Sequence, residues 1–185
     1  MPRRWPSGTV ASTRAGFIDP LPKLRRLTRA KIFGPEYAFL KREQLLSFEE
    51  ITRLARLSAQ IGVRKIRLTG GEPLLRRNLA DLIRMLTPIP EITDLTLTTN
   101  GMLLPHLAET LVSAGLERVT VSLDALDDAV FQAMNGRGVP VDKVLAGIDA
   151  AARAGIRVKI NMVVQRGVND EQIQPMARYF KDRGH

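Results

Sequence analysis

Four short segments of alternating apolar and polar residues contain the side chains best suited to bind a ligand. The segments are predicted strands, and successive side chains of a strand point to opposite faces of a sheet. One face of each strand is apolar, whereas the other carries polar or cationic side chains near the carboxyl end: Arg67, Thr69, Thr96, Thr98, Thr120, Ser122, Lys159 and Asn161. Arg67 and Lys159 give this face a positive charge, so we expect a cavity that binds an anionic ligand.

A different chemistry is conceivable at one of these positions. Lys159 lies on a predicted strand, where a desolvated amine could attack a carbonyl, and this makes a Schiff-base lyase or aldolase the alternative. Metal chemistry is disfavoured, because the chain has no cysteine and only two histidines, His106 and His185. We therefore expect no disulfide, no thiolate metal site and no protein-bound transition metal.

The turn after the first strand, Gly70-Gly71-Glu72-Pro73, is a second candidate for ligand contact. Two glycines let the backbone approach a ligand closely and permit a positive φ. Glu72 can accept hydrogen bonds, and Pro73 stiffens the exit of the chain. Taken alone, the turn is moderately specific, since paired glycines also occur in ordinary turns.

Helices must alternate with these strands to position the polar face. The predicted strands are residues 63–68, 94–98, 119–123 and 156–164. The predicted helix starts are Ser47 with Glu50 as a capping box, Asn78, Pro105, Asp127 with Asp142, and Asp170. This order predicts parallel βα units in an α/β barrel or partial barrel. A doubly wound sheet is the alternative, which the lack of a GxGxxG pattern after the first strand disfavours.

The charge of the chain is concentrated at one end. Of the net +9, residues 1–31 contribute +7, from eight basic side chains against one acidic, and residues 32–185 contribute +2. We predict a basic, disordered arm over 1–31 and a single folded domain over 32–185. The nearly neutral domain disfavours nucleic-acid binding, which stays an alternative through the arm alone. The arm's composition resembles a mitochondrial transit peptide, but four prolines weaken that interpretation. No apolar stretch approaches the roughly 18–20 residues that span a bilayer, which predicts a soluble, cytoplasmic protein.

Residues 65–77, KIRLTGGEPLLRR, resemble the radical S-adenosylmethionine (SAM) enzymes and, within them, the GTP 3′,8-cyclases of molybdenum-cofactor (molybdopterin) biosynthesis. Further segments resemble that family in order and approximate spacing: TTNG at 98–101, VSLDA at 121–125, MNG at 134–136 and VKIN at 158–161. The resemblance covers about residues 32–185.

The resemblance implies a partial (β/α)6 barrel that converts GTP to (8S)-3′,8-cyclo-7,8-dihydroguanosine 5′-triphosphate. In the family, a [4Fe–4S] cluster reduces SAM to a 5′-deoxyadenosyl radical, and a second [4Fe–4S] cluster helps to hold the nucleotide. By resemblance, Gly71 and Ser122 would contact SAM, and Arg67, Thr98 and Lys159 would contact GTP. GTP and SAM are thus the implied small-molecule partners, and a homodimer is left open.

The chain departs from the family where the chemistry should begin. The family has a CxxxCxxC cluster loop where this chain has its basic arm, and the resemblance implies that the first strand and the C-terminal units are missing. We expect no catalytic residue, no metal ligand and no cluster in this chain, which alone should be inactive. A catalytically dead nucleotide-binding remnant is the alternative. A frameshift would explain the break, and another reading frame upstream of Lys31 should then encode the three cysteines.

Overall fold

The computed structural model describes residues 45–136 and 138–185, and within them a parallel sheet forms the centre of the molecule. Its strands are β1 (Lys65–Leu68), β2 (Asp94–Thr99), β3 (Arg118–Ser122) and β4 (Arg157–Asn161). They lie side by side in sequence order, and every neighbouring pair is parallel. The α/β prediction with parallel strands is confirmed, whereas the arm predicted over 1–31 lies outside the described residues.

Helices connect the strands and cover one face of the sheet. They are α1 (Phe48–Gln60), α2 (Leu79–Leu86), α3 (Leu104–Ser113), α4 (Asp128–Asn135), α5 (Val141–Arg153) and α6 (Ile173–Lys181), with short 3₁₀ turns at Pro73–Leu75 and Asp170–Gln172. In succession, α1 packs on α2, α2 on α3, and α3 on α5. The core lies between these helices and the apolar face of the strands, and its fully buried side chains include Ile66, Leu82, Leu97, Leu111, Val119 and Ile148.

Two of the predicted helix starts are confirmed by their hydrogen bonds. At α1, the Ser47 hydroxyl accepts from the Glu50 amide at 3.2 Å, and the Glu50 carboxylate accepts from the Ser47 amide at 2.7 Å. At α4, the Asp127 carboxylate accepts from the Val130 amide at 2.9 Å. Both contacts satisfy amide groups that have no partner within the helix.

Three other predicted caps are wrong in detail. Asn78 precedes α2 in a left-handed conformation (φ 60°), which asparagine tolerates, but its side chain makes no capping hydrogen bond. Asp142 lies in the first turn of α5, a helix separate from α4 that begins after Pro140. Asp170 accepts from the Gly167 amide at 2.9 Å, so it stabilises the preceding loop and a 3₁₀ turn.

The first and last predicted strands are longer than the observed ones. β4 ends at Asn161, because its only neighbour among the described residues, β3, ends at the register partner Ser122. As the edge strand of this part of the chain, β4 leaves Val158 and Ile160 only half-buried, unlike the apolar faces of β1 and β3. An apolar cleft of about 400 Å³ lies beside Ile160, between β4 and residues Met176 and Phe180 of α6.

Candidate functional site

The strand register brings the predicted polar side chains onto one face of the sheet. Residues that are directly opposite in neighbouring strands point to the same side. The opposed pairs are Arg67 with Thr96, Thr98 with Thr120, Thr120 with Lys159, and Ser122 with Asn161. Four of the five residues predicted to bind ligands therefore share a face, and the fifth, Gly71, lies in the turn after β1.

At the amino ends of the strands, the polar groups of this face are satisfied by one another. The Asp94 carboxylate accepts two hydrogen bonds from Arg118 at 2.7 Å and lies 2.9 Å from the Lys65 ammonium. The Thr96 hydroxyl donates to the Arg118 carbonyl at 3.2 Å. Partial burial alone would raise the pKa of Asp94, but the hydrogen bonds and positive charges of Lys65 and Arg118 outweigh it and lower that pKa from 3.8.

Towards the carboxyl ends, polar atoms of the same face lack partners. Arg67 Nε, Thr98 Oγ1 and Thr120 Oγ1 are buried and have no hydrogen-bond partner within residues 45–136 and 138–185. Native proteins pair the great majority of buried polar atoms with protein or water, because an unpaired one costs about 1–3 kcal/mol. Three such atoms on one face indicate a surface arranged for a polar ligand or ordered water.

The side chains on either side of these three atoms differ in exposure. Ser122 is half-buried, and Lys159 is exposed at the sheet edge. Lys159 forms no salt bridge with another residue of the described ranges. Its ammonium is therefore available to an anion that lies against this face.

Glu72 joins the turn after β1 to the end of β2. Its Oε1 accepts from the Leu74 amide at 3.1 Å and from the Thr99 hydroxyl at 2.7 Å. Its Oε2 accepts from the Asn100 amide at 2.8 Å. These bonds fix the position of the Gly70-Gly71 turn relative to β2, a role that the sequence indicated only as a capacity to accept hydrogen bonds.

The two glycines of this turn do not use the left-handed region. The glycines with positive φ among the described residues include Gly62, Gly101 and Gly115, but neither Gly70 nor Gly71. What the pair offers a ligand is therefore close approach to the backbone, without a side chain in the way.

The turn after β2 packs against helix α5. Gly101 has φ +81°, and its carbonyl lies so close to α5 that a Cβ on Gly147 would be 2.0 Å from the Gly101 oxygen. The Asn100 side chain accepts from the Met102 amide at 3.0 Å, which tightens the same turn. Backbone contact at Gly147 thus positions the segment that follows Thr98 and Thr99.

A network that the sequence did not predict connects the ends of β3 and β4. The buried Asn169 amide donates to the Asp124 carbonyl at 2.7 Å and to the Val163 carbonyl at 2.9 Å. The Asp124 carboxylate accepts from the Val163 amide at 2.8 Å. These bonds fix the loop beyond β4, and no sequence pattern indicated Asn169, because its partners lie up to 45 residues away.

The described residues do not supply a metal site. No group of three or more histidine, cysteine, aspartate or glutamate side chains within them could hold a metal ion. The whole chain has no cysteine, so its donor set does not fit an iron–sulfur cluster, which is held by thiolates. The apolar cleft at α6 is separate from the predicted site residues, since none of them lines it.

Comparison with known proteins identifies the family. The model of the Radical SAM superfamily matches residues 29–180. The chain belongs to the radical SAM superfamily. This confirms the resemblance inferred from the GGEP turn and the strand-end motifs, and the four parallel strands described above are part of a radical SAM domain.

Within the radical SAM superfamily, similar proteins carry the name GTP 3′,8-cyclase. The one from Staphylococcus saprophyticus is 52% identical over 153 residues, which are 83% of this chain and 45% of that protein. The one from Acidothermus cellulolyticus is 54% identical over 156 residues, which are 84% of this chain and 43% of that protein. The chain therefore spans less than half the length of these curated relatives.

Solved structures share the fold at low sequence identity. Streptococcus suis SuiB has a TM-score of 0.61 and 22% identity, covering 75% of this chain and 31% of its own. A structure of anSMEcpe with bound AdoMet has a TM-score of 0.61 and 17% identity, covering 82% of this chain and 43% of its own. Across the described part of this radical SAM chain, no helix combines the length and apolar character needed to cross a membrane.

Proposed function

We propose that this chain is the GTP- and SAM-binding part of a GTP 3′,8-cyclase of molybdenum-cofactor biosynthesis. The single observation that carries the proposal is the unpartnered layer of the polar face, where Arg67 Nε and Thr98 Oγ1 are buried with no hydrogen-bond partner among the described residues. The names of the relatives supply the identity of the ligand, and the geometry supplies a surface suited to it.

Arg67, Thr98 and Lys159 bind the nucleotide in this proposal. The guanidinium of Arg67 donates charge-assisted hydrogen bonds to phosphate oxygens, and the ammonium of Lys159 adds a positive charge from the edge strand. The Thr98 hydroxyl can donate or accept, so it fixes orientation rather than charge. Asp94 does not oppose an anion here, because Arg118 and Lys65 neutralise it.

Gly71 and Ser122 contact SAM in this proposal. The Gly70-Gly71 backbone can approach a ligand closely, and Glu72 holds it in place through Thr99 and Asn100. The Ser122 hydroxyl lies at the carboxyl end of β3, on the same face as the nucleotide-binding residues. Both ligands would thus meet at the carboxyl ends of the strands, where barrel enzymes place their sites.

The residues of this chain bind and orient, and they do not supply the cluster. With no cysteine, no set of thiolates is available to an iron–sulfur group, so no radical step is derived from this chain. The carbonyl chemistry considered for Lys159 is not favoured, because a Schiff-base lysine needs a desolvated amine and Lys159 is exposed.

Calorimetric titration of the 185-residue chain with GTP tests the proposal. Arg67→Ala should weaken binding by about 10- to 100-fold, the range expected for lost charge-assisted hydrogen bonds. Lys159→Ala should weaken GTP binding less than Arg67→Ala does. The loss of affinity caused by Lys159→Ala should shrink at high salt, because the exposed ammonium is screened. The matched controls are Arg153→Ala and Lys143→Ala, exposed cations of α5 on the opposite side of the sheet.

Two outcomes would contradict the proposal. Absence of GTP binding by the unchanged chain is the first. Equal losses in the Arg67 and Arg153 variants are the second, since they would show a response to net charge rather than to the polar face. A parallel titration with SAM should respond to Ser122→Ala and not to Arg67→Ala.

A further inference from the structure

Thr120 lies at the centre of the polar face. Its hydroxyl has no hydrogen bond among the described residues and no role in the ligand contacts proposed above. Its side chain is buried, with 3% exposure, and its hydroxyl has no partner among the described residues. A buried hydroxyl without a partner is costly, whereas valine would fill the same space at no such cost. The hydroxyl therefore needs a partner beyond the described residues, and a bound ligand could provide it.

The register shows where that partner would lie. Thr120 is directly opposite Thr98 on β2 and directly opposite Lys159 on β4. Neighbouring strands are about 4.8 Å apart, so the backbones of Thr98 and Lys159 are separated by about 10 Å, and Thr120 lies between them. The shortest path between the two residues crosses β3 at Thr120, so a nucleotide that contacts both is expected to pass over it.

Thr96 shows that the neighbouring hydroxyl has a different role. It is also buried on this face, but its hydroxyl donates to the Arg118 carbonyl at 3.2 Å. Thr96 thus contributes to the fold, while the hydroxyls of Thr98 and Thr120 have no hydrogen-bond partner among the described residues.

We propose that Thr120 is a further nucleotide-binding residue, whose hydroxyl hydrogen-bonds to GTP between the contacts made by Thr98 and Lys159. This inference rests on the proposed function, because it takes GTP as the ligand of the face. It predicts that the nucleotide contacts all four strands: Arg67 of β1, and at one level of the sheet Thr98, Thr120 and Lys159 of the three adjacent strands β2, β3 and β4.

The test replaces the hydroxyl without changing the shape of the side chain. In GTP titrations of the full chain, Thr120→Val should raise the Kd about 5- to 10-fold, the loss of one hydrogen bond, and should leave the midpoint of thermal unfolding unchanged or higher. Thr120→Ser, which keeps the hydroxyl, should bind GTP within about 2-fold of the unchanged chain. Thr96→Val is the matched control, which should lower the unfolding midpoint and leave the Kd for GTP unchanged.

Each alternative outcome has a definite meaning. GTP binding that Thr120→Val leaves unchanged would overturn this inference and leave the proposed function intact. Loss of SAM affinity without loss of GTP affinity would also overturn it, by assigning the hydroxyl to the other ligand. Parallel losses of stability and affinity in the Thr120→Val and Thr96→Val chains would show a structural role. No GTP binding by the unchanged chain would refute the proposed function, and this inference with it.

Discussion

Replacing Glu72 with glutamine tests how the turn after β1 is positioned. The carboxylate accepts three hydrogen bonds, from the Leu74 amide, the Thr99 hydroxyl and the Asn100 amide. Glutamine has one acceptor oxygen, and its other terminal atom is an NH₂ donor. If the NH₂ replaces Oε2, it faces the Asn100 amide, and if it replaces Oε1, it faces the Leu74 amide. Either orientation leaves one backbone donor without an acceptor.

The expected loss of stability follows from the one backbone amide that is left without an acceptor. An orphaned, part-buried amide costs about 1–3 kcal/mol, and the remaining bonds lose their charge assistance. We expect Glu72→Gln to lower the free energy of unfolding by about 2–3 kcal/mol. At about 2–4 °C per kcal/mol for a chain of this size, the thermal midpoint should fall by about 4–12 °C.

Urea unfolding followed by circular dichroism measures this loss, provided that the slope with urea stays the same. Glu91→Gln, at an exposed position, is the matched control and should change the free energy by no more than about 0.5 kcal/mol. The reasoning would be refuted if the Glu72 and Glu91 variants were equally stable.

Two further predictions concern packing and charge. Gly147→Ala should lower the free energy of unfolding in urea by about 3 kcal/mol or more, because its Cβ would overlap the Gly101 carbonyl. Asp149→Ala, on the exposed side of α5, is the control and should have little effect. Similar stability of the two variants would argue against the close contact. The lowered pKa of Asp94 means that its contribution to stability is fully present above the ordinary value of 3.8 and is lost as the pH falls through the folded pKa. The stability difference between the unchanged chain and Asp94→Asn should therefore be constant at neutral pH and shrink as the pH falls below about 4. A difference that stays constant down to acidic pH would contradict this assignment.

The polar face was predictable because it depends only on the two-residue repeat of side chains along each strand. Alternation within each strand is enough to place Arg67 and Lys159 opposite the apolar side, whatever the exact strand ends are. The cap at Asp127 was predictable for the same reason, since the bond to Val130 spans only three residues. Asn78 and Asp170 misled the prediction, because asparagine and aspartate also favour left-handed and loop conformations.

Features that depend on contacts between distant segments could not be predicted. The difference between Thr96 and Thr120 depends on contacts between strands, because the Thr96 hydroxyl donates to the Arg118 carbonyl of β3 and the Thr120 hydroxyl has no partner among the described residues. The connection from Glu72 to Asn100 spans 28 residues, and the sequence shows only that the carboxylate can accept. Asn169 had no visible signal, since nothing near it in sequence marks a buried amide.

The contact between Gly101 and Gly147 restricts how the segment at the carboxyl end of β2 can move. Packed cores transmit displacement rather than absorb it, because they contain little free volume. The segment after Thr98 cannot shift towards α5, since backbone already meets backbone there. A ligand that pushes this segment towards α5 must therefore displace the helix, whereas movement away from α5 meets no such barrier.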